Sequence, residues 1–144
     1  MAEDIILFDD TSEVIAGIPG TLLLIIEDDP SLRELLRDVL KLSGFRVEAA
    51  ADGQTCLNLA KTLQPDCILL DLRLPDIDGF AVLRRLRNDP TTAAIPVIVL
   101  SGFTRIEDQE LALELGAVAY ITKPYNIPDL ILVVRSVVEK SYRS

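Results

Sequence analysis

Three acidic side chains, one hydroxyl and one lysine follow four of the short apolar runs in this 144-residue sequence. They are Glu27, Asp28, Asp71, Ser101 and Lys123. Carboxylates that meet in one crevice repel one another and raise each other's pKa, a conflict that a divalent cation relieves. Mg²⁺ suits such a crevice, because it binds one or two carboxylates together with water and phosphate oxygens. A metal, a lysine and a hydroxyl around a carboxylate form a phosphoryl-transfer site, in which Asp71 is the candidate nucleophile and forms an aspartyl phosphate.

Five apolar runs alternate with stretches of helical spacing, which predicts parallel β–α units and a sheet covered by helices on both faces. The runs span residues 22–26, 45–49, 67–70, 97–100 and 118–121. Runs 22–26 and 97–100 are continuously apolar, as expected of strands that are buried on both faces. We therefore predict an α/β fold with a doubly wound, five-stranded parallel sheet.

The candidate residues fit one particular strand order. Open parallel sheets bind ligands beyond the carboxyl ends of their strands, at the point where the strand order reverses. In the order 2-1-3-4-5, the first and third strands flank this point, and both lead into carboxylates. The second strand is then an edge, which fits the apolar Ala50 and Ala51 at its end.

Apolar residues at intervals of three and four predict five helices. The apolar stripe of the first helix consists of Leu32, Leu35, Leu36, Val39 and Leu40. The later helices are predicted over residues 53–63, 79–88, 105–115 and 127–140. Ser31 and Glu34 fit a capping box at the start of the first helix, and Gly44 fits the glycine that ends it.

The composition is that of one globular domain and excludes several classes of function. Hydrophobic residues make up 49% and charged residues 26%, which excludes a disordered or fibrous chain. The net charge of −9 argues against a nucleic-acid or anionic-membrane partner. There is no histidine, so this chain has no histidine base, histidine zinc ligand or phosphohistidine. Cys56 and Cys67 form no disulfide or metal motif, and we expect a cytoplasmic location.

Residues 1–20 precede the first β–α unit, and we interpret them as an N-terminal extension to a domain of residues 21–143. The extension contains two apolar stretches, residues 5–8 and 14–18, which Pro19 and Gly20 separate from the pattern of the domain. Such a segment is ordinarily a loosely packed tail.

Four motifs, in this order, resemble the receiver domain of two-component response regulators, and in particular its stand-alone, CheY-like form. They are residues 24–30 (LIIEDDP), 68–79 (ILLDLRLPDIDG), 97–102 (VIVLSG) and 116–125 (GAVAYITKPY). The resemblance covers about residues 21–140 and implies a flavodoxin-like fold. It also implies that Asp71 accepts a phosphoryl group from the phosphohistidine of a sensor histidine kinase or a histidine phosphotransfer protein.

The resemblance implies a role for each further site residue. The resemblance implies that Mg²⁺ is held by Glu27, Asp28, Asp71 and the carbonyl oxygen of Arg73. Of the acidic pair Glu27 and Asp28, it implies that Asp28 binds the ion directly. Ser101 takes the role of the switch hydroxyl, and Lys123 pairs with the phosphate; both assist the transfer.

The resemblance also implies a switch and a means of controlling the lifetime of the phosphoryl group. Tyr120 matches the switch aromatic of the family, and Lys123–Pro124 matches a bond that the family holds cis. Arg73 and Phe103 match the two positions that flank the approach of the hydrolytic water. Because both are large and neither carries a group that orients water, we expect slow dephosphorylation. The domain is thus expected to be a phospho-acceptor that promotes its own phosphotransfer, and not an enzyme.

The output is predicted to be a protein contact through the fourth helix, the fifth strand and the fifth helix. The fifth helix is more apolar than one buried stripe requires. Its apolar residues are Ile127, Leu130, Ile131, Leu132, Val133, Val134, Val137 and Val138. Since an exposed apolar patch marks a partner surface, we expect a downstream protein target there, and also self-association.

Three alternatives stay open from the residues. A Mg²⁺-dependent phosphohydrolase with an aspartyl nucleophile is one, although the segment after Asp71 lacks the second Asp of the haloacid-dehalogenase pattern. A flavodoxin-type electron carrier needs a phosphate-binding loop after the first strand, where residues 27–29 are acidic and would repel phosphate. The third is a receiver that acts as a scaffold without phosphorylation.

Overall fold

Five parallel strands form one sheet in the order β2-β1-β3-β4-β5, as predicted. The computed structural model describes residues 20–143, with side chains to residue 140. The strands are β1 (Leu22–Ile26), β2 (Arg46–Ala50), β3 (Cys67–Asp71), β4 (Val97–Ser101) and β5 (Ala119–Thr122). The helices are α1 (Pro30–Leu42), α2 (Gly53–Leu63), α3 (Gly79–Asn88), α4 (Ile106–Glu114) and α5 (Ile127–Arg143). The proposed extension of residues 1–20 lies, except for Gly20, outside the described residues.

Both faces of the sheet are covered by helices, which explains the continuously apolar strands. Successive strand residues point to opposite faces. Helices α2, α3 and α4 cover the face that contains Leu24, Ile26, Ile68, Leu70, Val97 and Val99. Helices α1 and α5 cover the face that contains Leu23, Ile25, Cys67, Leu69, Ile98 and Leu100. Every residue of β1, β3 and β4 is therefore buried.

The predicted capping box at Ser31 is wrong, because Asp29 caps α1 instead. The Asp29 Oδ1 atom accepts hydrogen bonds from the backbone N–H groups of Ser31 (2.9 Å) and Leu32 (3.4 Å). Pro30 has a fixed φ and no N–H to satisfy, so it suits the first helical position and places the cap one residue before itself. Gly44 follows the end of α1 with φ +102°, as predicted.

The apolar stripe of α1 is narrower than the spacing predicts. Leu36 and Leu40 are buried, but Leu35 is 50% exposed. Leu35 lies at the rim of an apolar cavity of about 460 Å³, which Leu32, Pro124 and Tyr125 also line. Within residues 20–143, no helix is both long and apolar enough to cross a membrane.

Candidate functional site

Parallel register brings the first acidic pair to the third strand. Ile26 at the end of β1 pairs with Leu70 of β3, so Glu27 and Asp71 follow side by side. Both side chains are buried, whereas Asp28 is exposed. On the other side of β3, Asp71 pairs with Leu100, which precedes Ser101 at the end of β4. The strand order thus brings the acidic and hydroxyl residues together, as the sequence predicts.

Lys123 joins the two buried carboxylates. Its Nζ atom lies 2.8 Å from Oε1 of Glu27 and 2.9 Å from Oδ2 of Asp71. Its backbone N–H donates to the carbonyl oxygen of Ser101 (2.8 Å), which fixes the loop after β5 beside β4. The Lys123–Pro124 peptide bond is cis. The lysine therefore lies at the centre of the predicted site.

The electrostatics of the site reflect burial as well as ion pairing. Burial raises the pKa of Glu27 to about 7, although the hydrogen bond from Lys123 acts in the opposite direction. Burial is the largest single influence on Lys123 and acts to lower its pKa, but its hydrogen bonds and charge interactions with Asp71 and Glu27 together raise the pKa overall. The ammonium of Lys123 therefore stays charged beside the two buried carboxyl groups.

The carboxylates form a compact set of oxygen ligands. One oxygen from each of Glu27, Asp28 and Asp71 lies within 4.8 Å of the others. The backbone N–H of Arg73 donates to Asp71 Oδ1 (2.9 Å), which holds the loop carrying the Arg73 carbonyl oxygen close to Asp71. Hard oxygen ligands with one member open to solvent fit Mg²⁺, which keeps several of its waters.

The backbone of Phe103 links Ser101 to Tyr120. The N–H of Phe103 donates to the buried Ser101 Oγ (3.0 Å), and the Tyr120 hydroxyl donates to the carbonyl oxygen of Phe103 (2.8 Å). The sequence pattern pairs Ser101 with Tyr120 but does not indicate that the backbone of Phe103 lies between them. Ser101 and Tyr120 thus bind the N–H and the carbonyl oxygen of the same residue.

The side chains of Arg73 and Phe103 contact each other beyond the carboxyl ends of β3 and β4. The Arg73 guanidinium carbon is 5.0 Å from the centroid of the Phe103 ring, a cation–π contact. Arg73 follows β3 and Phe103 follows β4, so the pair bridges the loop after Asp71 and the loop after Ser101. Their spacing from Asp71 and Ser101 singles out both residues in the sequence, although not their contact.

Tyr125 also belongs to the surroundings of the site, although its sequence position alone gives no role for it. Its hydroxyl is buried without a hydrogen-bond partner among the described residues. Burial raises its pKa to about 12, and the charges of Lys123, Glu27 and Asp71 also affect it. The only signal in the sequence is an aromatic residue two positions after Lys123.

Comparisons with known proteins agree with this geometry. The response regulator receiver domain family matches residues 23–135. The chain is 41% identical over 121 residues to the DNA-binding dual master transcriptional regulator RpaA of Synechocystis, covering 84% of this chain and 50% of that protein. It is 40% identical over 114 residues to the DNA-binding response regulator MtrA of Mycolicibacterium smegmatis, covering 79% and 49%. The chain thus spans about half the length of these curated relatives.

Solved receiver domains match over almost their whole length. The Francisella response regulator 1452 receiver domain has a TM-score of 0.80 and 29% identity, covering 85% of this chain and 99% of that one. The CheY-like receiver domain protein of Methanospirillum hungatei has a TM-score of 0.81 and 26% identity, covering 85% and 97%. Sheet order, site and similarity agree, and this chain belongs to the receiver domain family of two-component response regulators.

Proposed function

We propose that Asp71 is the phospho-acceptor of this receiver domain. The observation that carries the proposal is the position of Asp71, with one carboxylate oxygen 2.9 Å from the Lys123 ammonium and within the acidic cluster of Glu27 and Asp28. The donor is a phosphohistidine on a sensor histidine kinase or a histidine phosphotransfer protein, and the reaction takes place in the cytoplasm.

The transfer exchanges one bond to phosphorus for another. The bond between phosphorus and the donor imidazole nitrogen breaks, and its electron pair leaves with that nitrogen, which takes up a proton. A carboxylate oxygen of Asp71 forms the new bond to phosphorus. Lys123 then attracts the phosphoryl oxygens, and the Ser101 hydroxyl donates to one of them. The domain in this way promotes its own phosphorylation.

Incubation with a small acyl phosphate and Mg²⁺, followed by intact mass measurement, tests the assignment. We expect the chain to gain one phosphoryl group and the Asp71→Asn variant to gain none. Asp38→Asn, which changes an exposed carboxylate on α1, is the matched control and is phosphorylated normally. If the acyl phosphate is hydrolysed but no phosphorylated chain accumulates, the result would instead support a phosphohydrolase. A wild-type chain that stays unmodified would support a scaffold receiver.

Glu27, Asp28, Asp71 and the carbonyl oxygen of Arg73 would hold the metal ion of this site. Mg²⁺ supplies positive charge that offsets the carboxylates and the phosphoryl oxygens. Asp28→Asn removes the exposed carboxylate of the cluster, and we expect it to weaken Mg²⁺ binding by roughly tenfold. Calorimetric titration of Mg²⁺ alone measures this, with Asp38→Asn as the control. Unchanged affinity in Asp28→Asn would overturn the ligand assignment.

The conformational switch runs from Ser101 through the backbone of Phe103 to Tyr120. When the Ser101 hydroxyl turns to a phosphoryl oxygen, its bond from the Phe103 N–H is weakened, and the segment that Tyr120 holds is released. Two packings separated by a few kcal/mol are enough for such a population shift. NMR of the Tyr120 ring with and without a phosphate mimic tests this route. Identical ring resonances in both states would exclude it.

The Arg73–Phe103 pair lengthens the lifetime of the phosphoryl group. The stacked guanidinium and ring exclude water by bulk. The backbone N–H of Arg73 binds Asp71, and the guanidinium of the same residue is long enough to pair with phosphoryl oxygens. We expect the phosphoryl group to decay faster in Arg73→Asn and in Phe103→Ala than in the parent. Arg46→Asn, an exposed change at the start of β2, is the control. If the phosphoryl group is lost no faster in either variant than in the parent, these two side chains do not control the access of water.

The output surface is a protein-binding face formed by α4, β5 and α5. It is supported by exposed apolar side chains, among them Ile106, Leu113 and Leu132. A downstream protein or a second copy of the chain binds there, whereas the acidic chain is not expected to bind nucleic acid or membranes. Light scattering tests the homodimer. We expect Leu132→Asp to reduce association and Leu35→Asp, on α1, to leave it unchanged; a monomer in both phosphorylation states would exclude self-association.

A further inference from the structure

The carboxylate of Asp76 belongs to the loop between β3 and α3, yet it binds the amino end of a different helix, α2. Its Oδ1 atom accepts a hydrogen bond from the backbone N–H of Gly53 (2.8 Å), and its Oδ2 atom accepts one from that of Gln54 (2.9 Å). Oδ1 also accepts the N–H of Ile77 (2.9 Å), the next residue of the loop. The side chain therefore ties residues 72–78, which we call the β3–α3 loop, to the first turn of α2.

Helix α2 also has a cap of its own. Asp52, the residue before the helix, accepts a hydrogen bond from the backbone N–H of Thr55 (2.8 Å). The first N–H groups of a helix have no partners within it, and negative charge beside them is favourable. Asp52 and Asp76 thus share the amino end of α2. Of the two carboxylates, that of Asp76 comes from another part of the fold.

The helix and the loop are also closely packed at this contact. A Cβ atom at Gly53 would lie 3.4 Å from Oδ1 of Asp76 and 3.2 Å from Cβ of Ile77, so the missing side chain lets the loop approach the helix. The hydrogen bonds from Gly53 and Gln54 lower the pKa of Asp76, and its carboxylate is therefore charged at neutral pH. A glycine on one element and a charged acceptor on the other together form the contact.

The β3–α3 loop carries one group of the proposed metal site. The backbone N–H of Arg73 donates to Asp71 Oδ1 (2.9 Å), and the carbonyl oxygen of Arg73 is a proposed ligand. At the far end of the loop, the N–H of Gly79 donates to the carbonyl oxygen of Leu72 (3.1 Å). Both bonds join residues that are close in the sequence, whereas Asp76 attaches the loop to a separate helix. Groups that orient metal ligands without touching the metal contribute to its affinity.

We propose that Asp76 is a positioning residue, which holds the β3–α3 loop against α2 so that the Arg73 carbonyl oxygen stays beside Asp71. Its two carboxylate oxygens bind N–H groups of α2, so it acts on the site through the loop and not as a metal ligand. This role rests on the proposed function, because it matters to the site through the binding of Mg²⁺.

Two variants separate the positioning of the loop from the capping of α2. Asp76→Ala removes the contact between loop and helix, and because Asp76 is exposed the core stays intact. Asp52→Ala is the matched control, since it removes one negative charge at the same helix end but leaves the Asp76 contact in place. Hydrogen exchange of the Arg73 amide in the metal-free protein measures the order of the loop. Calorimetric titration of Mg²⁺ alone measures the affinity of the site.

We expect Asp76→Ala to weaken Mg²⁺ binding and to speed exchange of the Arg73 amide by about tenfold each, whereas Asp52→Ala changes each by less than about twofold. Equal effects in the two variants would overturn the proposal, because Asp76 would then act only as a cap or a charge. Faster exchange with unchanged Mg²⁺ affinity would also overturn it. A parent chain that binds no Mg²⁺ would contradict the proposed metal site, and the exchange rates would still decide whether Asp76 holds the loop.

Discussion

The β1–β3 region and the α4–β5 region serve one site but are built differently. Every residue of β1 and β3 is buried, and helices α1, α2 and α3 each have an aspartate cap that accepts a backbone N–H. In contrast, every residue of β5 is only half-buried, and α4 buries Ala112 alone. The N-cap residue of α4, Arg105, makes no side-chain capping bond.

The difference assigns the two regions separate tasks. The carboxylates that we propose to bind a metal and accept a phosphoryl group need fixed positions. Glu27 directly follows β1 and Asp71 ends β3, and both of these strands are fully buried. Tyr120 lies on the half-buried strand, where a local rearrangement disturbs fewer contacts. Regions that move in signalling belong to the less stable parts of a fold. The comparison therefore predicts unequal responses to matched substitutions.

Matched leucines give the largest expected contrast. Leu69 in β3 is fully buried, whereas Leu113 in α4 is mostly exposed. We expect Leu69→Ala to lower the free energy of unfolding by about 2–5 kcal/mol, because it leaves a cavity in the core. Leu113→Ala should change it by less than about 0.5 kcal/mol. Urea denaturation of both variants measures the difference. Similar losses in the free energy of unfolding would contradict the contrast between the two regions.

Two glycines show the same contrast in how closely other atoms pack against the backbone. A Cβ atom at Gly79 would lie 2.7 Å from the carbonyl oxygen of Leu72, whereas one at Gly102 would meet nothing within 4 Å. We expect Gly79→Ala to cost about 1–3 kcal/mol, since the backbone next to Asp71 must shift. Gly102→Ala should cost less than about 0.5 kcal/mol. Thermal unfolding compares them, and an equal loss in both would show that the loop after β4 is as tightly packed.

The aspartate caps predict a smaller effect. The Asp78 Oδ1 atom accepts a hydrogen bond from the backbone N–H of Phe80 (3.0 Å) at the start of α3. We expect Asp78→Ala to lower the free energy of unfolding by about 1 kcal/mol. Asp38→Ala, in the exposed middle of α1, is the control and should have little effect. Equal values for the two variants in urea denaturation would mean that the cap adds nothing.

The sequence predicts the strands of both regions equally well. All five strands are found within one residue of their predicted ends, because strands covered by helices on both faces appear as short apolar runs. The site residues follow from those strand ends, because parallel strands bring their carboxyl ends to one edge. The features that the sequence pattern does not predict depend on where side chains point and on which backbone groups they bind. Examples are the Asp29 cap, the exposure of Leu35 and the link between Ser101 and Tyr120 through the Phe103 backbone.

The start of α4 has no side-chain capping bond, and supplying one gives the smallest expected effect. The same change tests most directly whether the first turn of α4 opens because it lacks a cap. Arg105 has extended backbone angles (φ −69°, ψ 140°) that suit an N-cap residue. Its guanidinium instead lies 3.0 Å from Glu107 Oε2, and because both side chains are 71% exposed this ion pair adds little. In Arg105→Ser the hydroxyl can accept a backbone N–H of the first turn, and we expect a gain of about 0.5 kcal/mol.

The Arg105→Ala variant separates the new cap from the lost ion pair, because it removes the arginine without supplying an acceptor. Hydrogen exchange of the Asp108 and Gln109 amides, which donate to the carbonyl oxygen of Arg105, measures opening of this first turn. We expect exchange to be slower in Arg105→Ser than in the parent, and at least as fast in Arg105→Ala as in the parent. If serine and alanine give the same exchange rates, the start of α4 is limited by its packing and not by the absent cap. The contrast between the two regions would then rest on burial alone.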